Sequence, residues 1–133
     1  MNVRRVSAAL SSVALAGTFA LAGAAPASAK GGSGAAEARG KCSAGAVWKL
    51  KAKPDNGRME VELEVDSNRN GQTWAVRITD NGVAVFSGKR VTHAPSGSFS
   101  LELRTANRSG RDAFVGTARD VRTGQLCTAR VTY

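Results

Sequence analysis

From Cys42 to Tyr133, apolar and polar side chains alternate with a period of two, and this pattern constrains the fold more than any other feature of the sequence. Turn residues interrupt the alternation every 8–12 positions or so, a spacing typical of all-β domains. No segment has a convincing helical period. Because successive side chains of a strand point to opposite faces of a sheet, the pattern predicts an all-β sandwich or barrel.

The first two predicted strands are the best specified. Residues 46–53 and 58–66 alternate on either side of a turn at 54–57. A four-residue loop puts Lys53 opposite Arg58, so every apolar pair falls on one face of the hairpin and the lysines face glutamates on the other. The run of glutamates therefore indicates a salt-bridged outer face and not a catalytic carboxylate cluster.

Five more strands follow, at residues 73–80, 83–87, 98–104, 112–120 and 125–133. Asn81-Gly82 is the two-residue signal for a type I′ hairpin turn. That turn pairs Ile78 with Val85 on the inward face and places Arg77 outward, opposite Phe86. For the last two strands, a turn at Thr123-Gly124 puts Arg119 and Arg130 on the outward face.

The N-terminus has the three parts of a Sec-type signal peptide. Arg4 and Arg5 give the positive region, residues 6–25 are uncharged, and Ala27-Ser28-Ala29 is a small-x-small cleavage site. The alternative, a transmembrane anchor, fits less well because Ser, Gly, Thr and Pro interrupt the apolar stretch. We predict that residues 1–29 are removed after Ala29.

The exported product is then predicted to have a flexible leader at 30–41 and one β domain at 42–133. It would be released without a membrane anchor, since neither a lipidation cysteine nor a hydrophobic tail is present. Cys42 and Cys127 are the only cysteines, and both lie in the exported part. In an oxidising compartment they have one possible pairing, so we predict a disulfide between them. The rival interpretation, a catalytic thiol, lacks a base.

With about seven strands and Trp74 on the third, the segment from Cys42 to Tyr133 resembles an immunoglobulin-like antiparallel β-sandwich. The resemblance is architectural and implies Trp74 as the centre of the core. It departs from the antibody pattern because the cysteine pair would tie the first strand to the last. A shared fold of this kind does not imply a function.

The sequence contains no motif for catalysis, metal binding or a cofactor. His93 is the only histidine, so no nucleophile has an evident histidine partner. We therefore predict that the protein is not an enzyme and uses no cofactor. The composition, with 13 Arg against 6 Lys, is typical of GC-rich bacteria.

The predicted mature chain keeps 17 Lys and Arg against 10 Asp and Glu. Two interpretations of this charge stay open: a surface that only aids solubility, and a binding face. The candidate face comprises Arg77, Phe86, Arg119 and Arg130, among outward threonines. Guanidinium groups bind anions through paired hydrogen bonds, and Phe86 is a ring on which Arg77 can stack.

The sequence thus predicts a secreted, monomeric, non-enzymatic binding domain. Its partner would be an anionic polymer of the cell envelope or an extracellular protein. Nucleic acid is disfavoured because almost no aromatic residues are interleaved with the arginines. The alternative is a secreted inhibitor or effector that acts through an exposed loop, at residues 92–97 or 106–111, although small exported inhibitors usually contain more disulfides.

Overall fold

A computed structural model of the protein describes residues 34–133, which form eight β-strands and no helix. Within this range there is accordingly no helix able to cross a membrane. The predicted signal peptide, residues 1–29, lies outside the described residues. The strands are β1 (Ala36–Lys41), β2 (Val47–Asp55), β3 (Arg58–Asp66), β4 (Thr73–Asp80), β5 (Val83–Val91), β6 (Ser98–Ala106), β7 (Ala113–Asp120) and β8 (Leu126–Thr132).

The strands form two antiparallel sheets of four strands each. The first sheet has the order β1-β2-β3-β6 and the second sheet the order β5-β4-β7-β8. The sheets pack face to face, with β1 and β2 against β8 at one side and β5 against β6 at the other. The predicted all-β sandwich is confirmed, with eight strands where the sequence indicated about seven.

The additional strand, β1, lies in the segment that was predicted to be a flexible leader. That prediction is wrong for residues 36–41, which pair with β2 along their whole length. Ala36 is buried and Ala38 packs against the core, while Glu37 and Arg39 point outward. The residues of β1 are mostly small or charged and have low strand propensity. Pairing with β2 therefore stabilises a strand that its own residues would not favour.

Trp74 is fully buried at the centre of the core, as the sequence predicted. Its ring centroid lies 6.4 Å from that of Phe99, on the opposite sheet. Leu50 and Leu63 of the first sheet and Phe114 of the second are also fully buried. These buried positions alternate with half-buried or exposed ones along the central strands, and burial of that stripe drives the two sheets together.

The hairpin of β2 and β3 differs from its predicted register by two residues. The loop is Asn56-Gly57 alone, and Asp55 lies opposite Arg58. Both loop residues have positive φ, 48° and 76°, as a two-residue type I′ hairpin loop requires. Because a shift of two keeps each side chain on the same face, the predicted separation of apolar and charged faces holds.

The hairpin of β4 and β5 departs from prediction by a β-bulge. The register shifts between Ile78 and Thr79, so Ile78 lies opposite Phe86 and Arg77 opposite Ser87. The extra residue moves every later side chain of β5 to the other face. The predicted pairing of Arg77 with Phe86 on the outward face is therefore wrong.

The predicted disulfide between Cys42 and Cys127 is present, with Cα atoms 4.2 Å apart. Cys42 directly follows β1 and Cys127 lies on β8, so the bond joins the edges of the two sheets. The register of β7 and β8 is also two residues from the prediction, with Arg119 opposite Leu126. Arg119 and Arg130 keep their outward positions.

Candidate functional site: the outer face of the second sheet

Four basic side chains project from the outer face of the second sheet, one from each strand. They are Lys89 of β5, Arg77 of β4, Arg119 of β7 and Arg130 of β8, and all four are exposed. Each strand places them there because their positions alternate with the buried stripe. We call these four residues the basic face.

No acidic residue lies on this outer face. None of the four cations forms an ion pair with any other residue of the described range. The remaining outward positions of the second sheet are neutral: Thr73, Ala75, Thr79, Ala84, Ser87, Val91, Ala113, Val115, Thr117, Leu126, Thr128 and Thr132. The face therefore presents uncompensated positive charge to solvent.

The outer face of the first sheet is built differently, because acidic and basic residues balance there. Its outward acids are Glu37, Asp55, Glu60, Glu62, Glu64, Asp66 and Glu102, and its outward bases are Arg39, Lys41, Lys49, Lys51, Lys53, Arg58 and Arg104. Several form ion pairs: Lys49 Nζ lies 3.4 Å from Glu64 and Lys53 Nζ lies 3.2 Å from Glu60. The acids that remain within residues 34–133, Asp80, Asp112 and Asp120, are buried. The excess charge is thus segregated to the second sheet and the loops.

Three of the cations surround Ala75. The ladder places Lys89 and Arg119 directly on either side of Ala75, on the neighbouring strands. Arg77 is two residues further along β4. With strands about 4.8 Å apart and residues rising about 3.4 Å each, the Cα atoms of these cations lie roughly 8–10 Å from one another.

A shallow hollow of about 500 Å³ lies between these three side chains. Ala75 and Gly88 belong to its lining, together with Thr117 and Leu126 at one side. Ala75 forms the floor of the hollow, because it has only a methyl group whereas the neighbouring basic side chains are long. Cationic walls around a small apolar floor form a cradle for an anionic group.

The structure separates the predicted site residues. It brings Arg77 and Arg119 together, whereas Arg130 lies at the other end of the face, opposite Val115. Lys89 joins the cluster but was not among the predicted face residues. Its position depends on the bulge in β5, for which the sequence of β5 gave no clear signal.

Phe86 is not on the basic face, and its predicted placement there is wrong. The ring is half-buried on the inward side of β5, at the edge of the core. Arg90, and not Arg77, stacks on it, with Cζ 5.0 Å from the ring centroid. A Cβ on Gly88 would lie 2.9 Å from the ring, so this glycine makes room for the aromatic side chain.

Exposed apolar side chains flank the cationic hollow at one end of the sheet. Leu126 is 42% exposed, Val91 39% and Val121 50%. Val91 lies opposite Thr73 on β5, and Val121 donates its backbone N–H to the carbonyl of Thr73 from the other side. The face therefore offers carbon surface beside its positive charge.

The first candidate loop, residues 92–97, is held tightly at both ends. The buried Thr92 donates its hydroxyl to the carbonyl of Arg69 at 2.5 Å. Ser67 donates both its backbone N–H and its hydroxyl to the carbonyl of Gly97. Between these anchors the segment from His93 to Ser96 is exposed.

The second candidate loop, predicted at residues 106–111, starts at Ala106, the last residue of β6, and covers a pair of buried carboxyls. Arg108 donates its backbone N–H to Asp112 at 3.2 Å, and its Nε lies 3.3 Å from the carboxyl of Asp80. Burial, helped by the adjacent charge of Asp112, raises the pKa of Asp80 to about 6. Arg108 opposes that rise but is itself partly exposed, so its effect is screened.

The described chain has other hollows besides the one around Ala75. One of about 570 Å³ is lined by the loops at 43–46, 67–72 and 123–125, with Arg69 as its only charged residue. Within residues 34–133 no three His, Cys, Asp or Glu side chains come together to hold a metal ion.

Comparisons with known proteins do not assign this chain to a family. Searches of protein-family models, curated proteins and solved structures found no significant match to this chain.

Proposed function

We propose that this protein is a non-enzymatic binding domain that holds an anionic polymer of the cell envelope on the outer face of its second sheet. The observation that carries the proposal is the segregation of charge. One outer face has four basic side chains and no acidic one, while the other outer face is balanced. Solubility alone needs net charge and does not need it on one face.

The chemistry of the face favours a ligand recognised by charge. No aromatic side chain lies on the outer face of the second sheet within the described residues. Nucleic-acid bases and neutral sugars are commonly held by stacking on aromatic rings, which this face lacks. Unpaired arginines beside threonine hydroxyls suit an oxyanion-bearing chain instead. Export of the protein, which the sequence predicts, would bring it to such a chain.

We also propose that the sandwich is immunoglobulin-like. Strands β2, β3 and β6 have the order of strands A, B and E of that fold, and β4, β7 and β8 the order of C, F and G. Trp74 then falls on strand C, where immunoglobulin domains have their core tryptophan. Strand β1 is an addition at the edge of the first sheet. Domains of this architecture serve many binding functions, so the classification fits the proposed function without establishing it.

The test is retention of the purified protein on immobilised anionic polymers over a range of salt concentrations. We expect retention at low salt and release as the ionic strength rises, since salt screens exposed charges beyond about 10 Å at 0.1 M. A neutral polysaccharide matrix is the control and should not retain the protein. Flow-through from every anionic matrix at low salt would contradict the proposal.

A second candidate function, inhibition through an exposed loop, is favoured by the two anchors of the loop at 92–97. A loop held in one conformation loses little entropy when it binds. A panel of extracellular proteases would test this: stoichiometric inhibition of one of them, lost on replacing His93 to Ser96 by glycines, is expected. Cleavage of the loop without inhibition would exclude it.

A further inference from the structure

We propose that the hollow around Ala75 is a phosphate site, and that the polymer bound there is a phosphodiester chain whose phosphate groups enter it one at a time. This inference rests on the proposed function and specifies its ligand. It is carried by the arrangement of Arg77, Lys89 and Arg119 around a small apolar floor.

The three cations approach the hollow from three directions. Lys89 and Arg119 face each other across Ala75 on the two neighbouring strands. Arg77 adds a third side, because it is the next outward residue of β4 after Ala75. Their long side chains can therefore converge on one group above the methyl of Ala75.

A tetrahedral phosphate suits this arrangement better than a carboxylate. The lone pairs of a carboxylate lie in one plane, and a single arginine fork can satisfy them. The two unesterified oxygens of a phosphodiester have lone pairs that are not confined to one plane, so together they can accept from three separate donors. Thr117, which lies opposite Arg77 and two residues from Arg119 on β7, supplies a hydroxyl donor beside them.

The apolar part of the lining favours a polymer phosphate over a free ion. Ala75 and Leu126 offer carbon surface next to the charges, and Leu126 is 42% exposed. In a phosphodiester chain, the carbons on each side of the phosphate would cover this surface. Inorganic phosphate has no carbons, so it gains nothing from that contact.

The decisive variant is Ala75→Leu, which puts a bulky side chain on the floor of the hollow and leaves every charge in place. We expect its affinity for poly(glycerol phosphate) to fall by about tenfold or more. Its affinity for polygalacturonate, whose carboxylates single arginines can bind without the hollow, should change by less than about twofold. Thr79→Leu is the matched control, since Thr79 is on the same strand and face but outside the hollow. Thermal unfolding of both variants checks that they fold.

The outcomes separate this inference from the proposed function. If the wild-type protein binds neither polymer, the proposed function fails. If it binds both polymers and Ala75→Leu binds each as the wild type does, the proposed function stands and the phosphate site is wrong. Single-stranded RNA is also a phosphodiester chain, so tighter binding of RNA than of poly(glycerol phosphate) would contradict the envelope polymer of the proposed function and would leave the phosphate site standing. Inorganic phosphate that displaces the polymer at millimolar concentration would show that a free ion is the ligand.

Discussion

Single residues of this protein carry strain or charge that the rest of the fold has to accommodate. Asp80 is fully buried beside Asp112, and its pKa is raised to about 6 by burial and by that neighbour. Gly97 has a positive φ of 70° and lies against the backbone of the loop at 67–72. For each of these two residues, a substitution should change the stability in a way that can be measured.

Stability should depend on pH through Asp80. A raised pKa in the folded state means that the folded protein binds this proton more tightly than the unfolded chain does. The stability gained is complete below about pH 4 and is lost as the pH rises through about 6. Asp80→Asn removes that loss, so we expect the variant to be more stable than wild type by about 3 kcal/mol at pH 7.5 and nearly equal at pH 4.

Urea unfolding at the two pH values measures this difference. Glu102→Gln is the control, because it also replaces a carboxyl by an amide but at an exposed position. A less stable Asp80→Asn at pH 7.5 would contradict the prediction. It would mean that ionised Asp80 and Arg108 stabilise the fold together by more than the burial costs.

Gly97→Ala should be strongly destabilising. A Cβ at this position would lie 2.2 Å from the backbone N of Arg69, and the φ is one that L side chains rarely adopt. Gly57→Ala is the control, since Gly57 has a similar φ of 76° in open space. We expect Gly57→Ala to cost about 1–2 kcal/mol and Gly97→Ala clearly more, measured as the free energy of unfolding in urea. Equal costs would show that the loop moves aside freely.

At the scale of elements, the sequence predicts faces better than registers. The alternation along β2 and β3 assigns every side chain correctly, because a register error of two residues leaves the faces unchanged. The Asn56-Gly57 pair is itself a two-residue turn signal and would have given the observed register. The bulge in β5 was not predicted. As a result, Phe86 was assigned to the wrong face and Lys89 was not included in the candidate site.

Strand β1 was missed for a different reason. Its sequence, AEARGK, does alternate, but alanine and glycine are poor strand formers. The structure explains the glycine: a Cβ on Gly40 would lie 2.5 Å from the ring of Trp48, which covers this position. Only the neighbouring strand makes such a segment a strand, so local pattern could not reveal it.

The disulfide links two elements that meet at the edges of the sheets, and its loss should cost much of the stability. Cys42 and Cys127 are 85 positions apart. In the chain-entropy model a loop of this length is worth about 4–5 kcal/mol. We expect Cys42→Ala/Cys127→Ala to lower the free energy of unfolding in urea by that order. Reduction of the wild type should give the same loss, and an unchanged midpoint in both would contradict the account.

At the scale of the whole molecule, the two outer faces differ in charge although both are built on the same alternation. On the first sheet, glutamates on β3 lie opposite lysines on β2 and neutralise them. On the second sheet, threonine, alanine and valine lie beside the arginines, so nothing neutralises them. The sequence predicted Arg77, Arg119 and Arg130 as outward residues of one sheet. The grouping of Arg77 and Arg119 with Lys89 around Ala75 required the sheet order and the bulge.

The central claim is that the ligand binds to the basic face and is not held merely by the net charge of the whole protein. The most direct test compares two triple variants with the same change in charge. One is Arg77→Glu/Arg119→Glu/Arg130→Glu, and the other reverses Arg39, Lys41 and Arg58, which are exposed on the first sheet. Affinity for an anionic envelope polymer is measured for both at a fixed, low salt concentration, after thermal unfolding has shown that each is folded.

We expect the second-sheet variant to lose affinity by about a hundredfold or more. The first-sheet variant should lose affinity by less than about tenfold. That result would locate binding on the basic face. Equal losses in the two variants would contradict the account, because they would show that the polymer responds only to the total charge of the protein.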